Sequence, residues 1–485
     1  MKLLSAVLSC SSLLSALLSP ALLSPTLCFG APEASQPTAR RGALEPDDFL
    51  TRLFKVASEV PSSKARRALK RVLSDPETYH FQLLITELDP QTGALTPHEY
   101  RVDRDYIYPA SAVKTFASLA SLMYAYELSQ AEETRWFTPE SPLAFHPRRC
   151  VKKDKRHLST GKMTLGHEIR QTQLVSSNRA FNHVFDIVGS ERLHDYLLPL
   201  FPSLRVYHRL STNETHEETL TVPALTTCEA RSGRGKPKKF TLRARQTKLS
   251  DRNAPVEGRA PFMGYGSSRE SLKVGVAYQD PKTNILLKRP MDFTWKNRVS
   301  FYDFQRLMFA IFKPNATHEA FGVPIRLQSG PKIPPEWLNM LRASMITYPH
   351  DSKDPQYKGK ALSETRFKPL IRGVRLSSDR VDQEGEGSGL VADQNLYYMN
   401  KAGKALGFHL DNALIGVGPE RLTLNADHTP RSLKRAVYVT VGLYVNKDQI
   451  LNDNRYEYTQ VSGPLFDAIG YAIGRYLQDG GSPTP

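Results

Sequence analysis

Cysteine is scarce. The 485 residues hold four, and two of them, Cys10 and Cys28, fall within the first thirty positions. Cys150 and Cys228 remain, and in an oxidising compartment they either form one disulfide or stay unpaired. No histidine partner suggests itself for either, so neither reads as a nucleophile. Other signatures are missing too. There is no G-x-S-x-G elbow, since "GEGSGL" has its glycines at the wrong offsets. "HEIRQ", from His167, lacks the second histidine of H-E-x-x-H. P-loop, dinucleotide fingerprint, histidine ligand cluster and internal repeat are all absent. The sequence therefore implies neither a metal nor a nucleotide cofactor.

Charge is also missing where it matters. After Lys2 the stretch "LLSAVLSCSSLLSALLSPALLSPTLCFGA" carries no acidic or basic side chain. One basic residue, an apolar run and small residues near its end describe a secretory signal peptide over residues 1–30, cleaved after Gly30. A retained anchor is the other reading, but Pro20, Pro25 and the serines suit a spanning helix poorly. The expected location is periplasmic or secreted, with no stable membrane insertion once the signal is removed. Residues 31–485 are expected to form one domain, working as a monomer.

The composition, 40% hydrophobic and 24% charged, is that of an ordinary globular chain, but the net charge of +16 is high. Much of it sits in "RSGRGKPKKFTLRARQTKLSDR", within a stretch from about 205 to 298 where helix and strand patterns blur. We read this stretch as an exposed basic insertion. No nucleic-acid partner is expected, because the segment has no recognisable binding fold and the chain reads as exported.

Elsewhere α and β patterns mix. "DDFLTRLFKVASEV" spaces Phe49, Leu53, Val56 and Val60 for one helix face. "FQLLITEL" and "HEYRVDRDYIYPAS" read as strands. Helical segments follow: Ser111 to Glu127, "GKMTLGHEIRQTQLVSSNRAFNHVFDIVG", "SERLHDYLLPLF" and "SFYDFQRLMFAIF". "NLYYMNKAG", "NALIGVG" and "RAVYVTVGLYVN" are strands, and "GPLFDAIGYAIGRYLQDG" is a closing helix. The expected fold class is α/β (α+β): an antiparallel sheet built from N- and C-terminal segments, flanked by helices, with a helical region inserted.

"YPASAVKTFASLASLMYAYE" places Ser111 and Lys114 three apart at the head of an apolar helix, so both occupy one face. Serine is a poor nucleophile until a base takes its proton, and a lysine can do so if burial or nearby positive charge lowers its pKa. S-x-x-K alone is weak: Ser159 with Lys162 and Ser329 with Lys332 match it in polar turns. "LVSSNRAF" then sets Ser176 and Asn178 two apart between helical runs, whereas the rival "STN" at Ser211 lies in a polar loop. "YYMNKAGKALG" ends a strand with Lys401, Ala402 and Gly403.

S-x-x-K, then S-x-N, then a near K-[ST]-G, in that order, resembles the serine β-lactamase and penicillin-binding-protein superfamily, most closely its class A β-lactamase-like branch. The resemblance covers about Phe81 to Phe201 and Trp295 to the C-terminus. It implies that Ser111 is acylated, Lys114 assists its deprotonation and Ser176 passes a proton to the leaving nitrogen. It further implies that Asn178 binds the substrate's amide side chain, while Lys401 and Gly403 belong to the substrate-binding strand. Backbone N–H groups of Ser111 and Lys404 would form the oxyanion hole. The implied substrate is a β-lactam or a peptidoglycan-like amide.

Three departures stand out. Ser177 replaces the usual aspartate of the middle motif. Ala402 replaces a hydroxyl that would help bind the substrate carboxylate. Of the deacylating E-x-x-L-N pattern only Glu217 and Leu220 are present. The alternatives are a penicillin-binding D-Ala-D-Ala peptidase, an esterase, or a catalytically impaired cell-wall-binding protein.

Overall fold

The computed structural model describes residues 43–145, 155, 157–211, 225–228, 239–242, 272–314, 333–357, 363–377, 395–419 and 422–479. Residues 1–30, Glu217, most of the basic stretch, Cys150 and the side chain of Cys228 lie outside that description.

Five antiparallel strands form the central sheet: β1 (Gln82–Leu88), β2 (Leu95–Tyr100), β3 (Leu396–Ala405), β4 (Phe408–Val417) and β5 (Arg435–Tyr444), in the order β3-β4-β5-β1-β2. The two chain ends meet where β1 pairs with β5, Gln82 opposite Gly442 and Leu88 opposite Ala436. The expected sheet of N- and C-terminal segments is what is found.

Side-chain alternation divides the interior in two. On one face Leu83 and Ile85 of β1 join Val437, Val439, Val441 and Leu443 of β5. That layer is covered by α1 (Asp48–Ala57), α2 (Ser63–Ser74) and α10 (Gly463–Asp479). On the other face Leu84, Leu88, Ala436 and Tyr438 join the helical region. That region contains α3 (Lys114–Gln130), α4 (Leu165–Leu174), α5 (Asn178–Val188), α6 (Ser190–Leu197), α7 (Phe301–Phe312) and α8 (Pro335–Ile346). Each fully buried aliphatic side chain here contributes about 1.5–3 kcal/mol from burial.

Polar side chains fix α7 in place. Gln305 donates to the carbonyls of Leu84 and Tyr438 and accepts from Thr86, while Asn412 donates to the Phe304 carbonyl. These buried polar groups are satisfied, so they orient the helix instead of weakening it.

Three expectations need correction. The second strand ends at Tyr100, before the Arg-Asp-rich turn, because Arg101 and Asp103 adopt left-handed φ of 54°. Helices α2 and α8 are additional to those read from the sequence. The stretch 205–298 is not a free insertion at its ends. Val206, Tyr207 and Leu210 are buried, and Asn297 accepts from the Tyr207 and His208 amides.

On the outer face a short helix, α9 (Ile371–Leu376), crosses α10 closely. A Cβ added at Gly470 would lie 2.3 Å from the Leu370 carbonyl oxygen, and one at Gly373 would lie 2.1 Å from that of Asp467. Backbone cannot yield as a side chain can. Gly470→Ala is expected to destabilise the fold by about 1–3 kcal/mol, read as a lower urea midpoint at unchanged m-value. An unchanged midpoint would show that the crossing tolerates a methyl group.

Candidate active site

Ser111 does not open α3. It sits one turn earlier, in a 3-10 turn over Ala110–Val113 that runs directly into Lys114. Ala110 is held at φ 45° and Ser176 at φ 53°. Left-handed backbone at a non-glycine residue costs of the order of 1–3 kcal/mol and persists only where the surroundings impose it. Two such residues border one small cluster of side chains.

α3 is buried on nearly all sides, which is why it reads apolar throughout. Its few polar groups are stitched to α4. Thr115 donates to Gln173 Oε1, Gln173 donates to Ser118 Oγ, and Ser118 donates to the Lys114 carbonyl. This anchors the helix start, and with it Lys114, against the loop between α4 and α5.

In that loop Ser177 is the N-cap of α5, its hydroxyl accepting from the Ala180 amide at 3.2 Å. Serine and aspartate serve that position about equally well, so the unusual residue there is structurally ordinary. Ser176 is thereby freed from capping.

Lys114 is 0 % exposed. Its amine donates to the Ser176 carbonyl at 2.5 Å and to Asn178 Oδ1 at 2.6 Å, and lies 3.1 Å from Ser176 Oγ. Lys401 reaches the same Oγ from β3 at 3.0 Å and also donates to the Ala402 carbonyl at 3.2 Å. Burial, and next the Lys401 charge, push the Lys114 amine well below an ordinary lysine. Burial brings Lys401 down to about 7, opposed by Asp411.

A neutral Lys114 has two protons and one lone pair. The two carbonyl acceptors take the protons, so the lone pair is what remains. The Ser111 hydroxyl, half-buried, has no hydrogen-bond partner among the described residues. It is not bonded to Lys114, contrary to the simplest expectation from their spacing.

β3 supplies the other wall. As an edge strand it has one unpaired side. Leu406 and Gly407, at φ 54° and 82°, make the two-residue turn to β4, flanked by the pair Ala405 and Phe408. That flanking pair exchanges both of its backbone bonds, so Lys404 opposite His409 does not, and its N–H faces outward. Tyr398, of the same parity, has its carbonyl taken by Lys368 at 3.0 Å, in agreement. The Ser111 turn lies against this strand at Gly403, where an added Cβ would sit 2.1 Å from the Pro109 carbonyl oxygen and 3.0 Å from the Ala112 nitrogen.

Ser111, Lys114, Ser176, Asn178, Lys401 and Gly403 therefore come together from three separated segments. Sequence reasoning missed two neighbours. Ser211, set aside as a rival motif, accepts from Asn178 Nδ2 at 2.5 Å. Lys368 carries no local signal. It lies buried behind β3 and donates to the Met345 carbonyl and Asn400 Oδ1, with a pKa brought down to about 7 by burial. Asp411 accepts there from Tyr398 and Asn400.

Among the described residues one group, His157, His167 and Asp354, brings three potential metal-binding atoms together. The two imidazoles stack at 4.4 Å with their planes 14° from parallel. A metal lies in the plane of each imidazole that binds it, and parallel stacked rings have no common in-plane point. Asp354 instead accepts from the Leu158 and Ser159 amides. The group does not fit a metal.

No family model matches the chain, and no curated protein matches it in sequence. Solved structures similar to it include a β-lactamase from Desulfarculus baarsii, at 13% identity and TM-score 0.37, covering 85% of this chain and 98% of that one. A β-lactamase from Xanthomonas campestris has 11% identity and TM-score 0.39, covering 84% and 97%. A mutant of PBP-A, solved as its acyl-enzyme complex with penicillin G, has 11% identity and TM-score 0.37, covering 86% and 97%.

The two lysines set a pH dependence. A group that must be charged is lost as pH rises through its pKa, and for Lys401 that is about 7. Any reaction at Ser111 that needs the Lys401 charge is expected to fall about tenfold per pH unit above that point. Lys401→Arg should hold its charge and flatten this limb. Superimposable alkaline limbs for the two proteins would remove the Lys401 charge from the reaction.

Proposed function

We propose that this chain is an exported serine hydrolase of the β-lactamase and penicillin-binding-protein kind, acting on a β-lactam or a peptidoglycan-like amide through an acyl-enzyme on Ser111. The observation that carries the reading is the buried Lys114 amine, tied to two carbonyl oxygens at the head of the helix that the Ser111 turn runs into, with the Ser111 hydroxyl left without a hydrogen-bond partner among the described residues. When neutral, an amine so placed has its lone pair available, and burial, with the Lys401 charge next, pushes its pKa well below that of an ordinary lysine.

In the proposed reaction Ser111 Oγ attacks the carbonyl carbon and its proton passes to Lys114 Nζ. The oxyanion is stabilised by the N–H groups of Ser111 and Lys404. When the C–N bond breaks, the nitrogen takes the proton of Ser176 Oγ, which Lys114 replaces. Ser176 suits this role because its Oγ accepts from Lys401 at 3.0 Å and lies 3.1 Å from the Lys114 amine that would return a proton to it. Lys401 offers the positive charge for a substrate carboxylate, which Ala402 cannot assist. Export is supported by the composition of residues 1–30, with cleavage at Gly30 and a periplasmic or secreted product.

A second reading concerns turnover. Hydrolysis requires an activated water, yet among the described residues no carboxylate hydrogen-bonds to Ser111, Lys114, Ser176 or Lys401. Buried Glu168 is paired with His183 at 3.0 Å. This favours slow deacylation, the behaviour of a penicillin-binding protein.

Incubation with a chromogenic cephalosporin, followed by intact-mass measurement, tests both readings. We expect an adduct on the native protein, none on Ser111→Ala, and acylation at least about a thousandfold slower in Lys114→Ala. Continuous colour development would favour a β-lactamase, and a persistent adduct a penicillin-binding protein. Adducts that survive Ser111→Ala, or no reaction with any acyl donor, would sink the proposal and leave a binding role.

A further inference from the structure

A cleft of about 480 Å³ opens on the α10 side of the sheet, and its charge is one-sided. Lys64 of α2, Arg366, Arg372 of α9 and Lys404 of β3 line it, together with buried His409 of β4. Asp467 is the single carboxylate in the wall. It is already engaged by Arg372, through Nε at 2.9 Å and a second bond from the other guanidinium nitrogen. Neither Arg366 nor Lys404 has a carboxylate partner among the described residues, and they repel each other closely enough that Arg366, after burial, lowers the Lys404 pKa. The Lys404 amine rests over the Tyr458 ring at 5.2 Å. His409 is held by Ser462 at 2.8 Å and kept neutral by burial, at about 3.

A chain of net charge +16 has many solvated cations, and most need no explanation. These four differ in that separate elements converge them on one concavity, where protein walls focus their field. Location adds the rest. Lys404 turns its N–H to the edge beside Ser111 and its side chain into the cleft, so a ligand lying across the edge strand meets both.

Resting on the acyl-enzyme reading above, we propose that this cleft is an anion subsite which holds a carboxylate or phosphate of the acyl donor while Ser111 is acylated. The donor class is then an amide or ester with an acidic group beyond the reacting carbonyl. Recognition is by Arg366 and Lys64 as charge-assisted donors.

Two measurements on the full chain separate the cleft from the chemistry. The first is calorimetric titration with inorganic phosphate and, separately, with succinate. Either anion should bind in the millimolar range, weakening with salt, and at least about tenfold more weakly in Arg366→Gln and Lys64→Gln. The anion bound more tightly identifies the acidic group. The second is acylation of Ser111 by two thioesters, one with a carboxylate on its leaving group and one with the neutral amide there. The acid should be preferred, and both variants should reduce that preference about tenfold while the neutral donor reacts within about twofold of native. Binding of neither anion, or equal binding by native and variant proteins, overturns the site. Anion binding that falls in the variants with an unchanged acid preference overturns its role in the substrate. If neither thioester acylates native protein, the acyl-enzyme reading fails and the subsite for an acyl donor fails with it. Phosphate titration then shows separately whether the cleft binds anions.

Discussion

One serine oxygen between two buried lysine amines organises the candidate site. Ser176 Oγ lies 3.1 Å from Lys114 and 3.0 Å from Lys401. Two positive charges about 4 Å apart repel by about 4 kcal/mol even at an effective dielectric of about 20, and burial disfavours both charges further. The pair cannot be doubly charged at modest cost, so the cluster has a built-in reason to release a proton. Lys114, with two carbonyls to occupy its protons, is the partner placed to stay neutral. The apolar surroundings of α3 and the satisfied polar stitching to α4 serve this arrangement, since a loose or wet helix start would let water restore both charges.

The sheet provides the complementary constraint. An edge strand is normally a liability because its free backbone groups recruit other strands. Here the edge is largely claimed from within: the Ser111 turn covers it at Gly403, Lys368 binds the Tyr398 carbonyl, and Lys401 binds that of Ala402. Among the groups left outward is the Lys404 N–H. Strain at Ala110 and Ser176 fits the same picture, with two backbones bent to bring three segments to one point.

Much of this was legible in sequence. The strands beyond Leu396 announce themselves by β-branched and aromatic residues, and the sheet of chain ends follows from where those strands lie. Ser111, Lys114, Ser176, Asn178, Lys401 and Gly403 were readable as three ordered motifs on elements of the expected kind. Other features were not. The second strand stops at Tyr100 because two left-handed residues intervene, and nothing in "YRVD" demands that conformation. α2 has five basic residues in twelve, with only Ala65, Ala68, Leu69 and Val72 buried, so its short apolar stripe is faint. Ser211 and Lys368 act through tertiary neighbours alone. Lys368 is a buried cation whose partners, a carbonyl of β3 and an asparagine, lie at a distance in the chain that no local pattern encodes. The ends of the basic stretch were misread because their buried residues, Tyr207 and Asn297 among them, are few and widely spaced.

The pairing of β1 with β5 also fixes an order of events in the making of the protein. Ser111 is translated early, but the edge strand β3 with Lys401 and Lys404 comes from beyond Leu396, and the sheet that seats it closes only through β5, which ends at Tyr444. Contacts of such long sequence separation form late, because loop-closure entropy must be met before they contribute. A nascent chain therefore carries Ser111 for most of its synthesis without the neighbours that complete the candidate site. If the chain is exported as proposed, threading it unfolded through a membrane would confine any such chemistry to the far side by the order of folding.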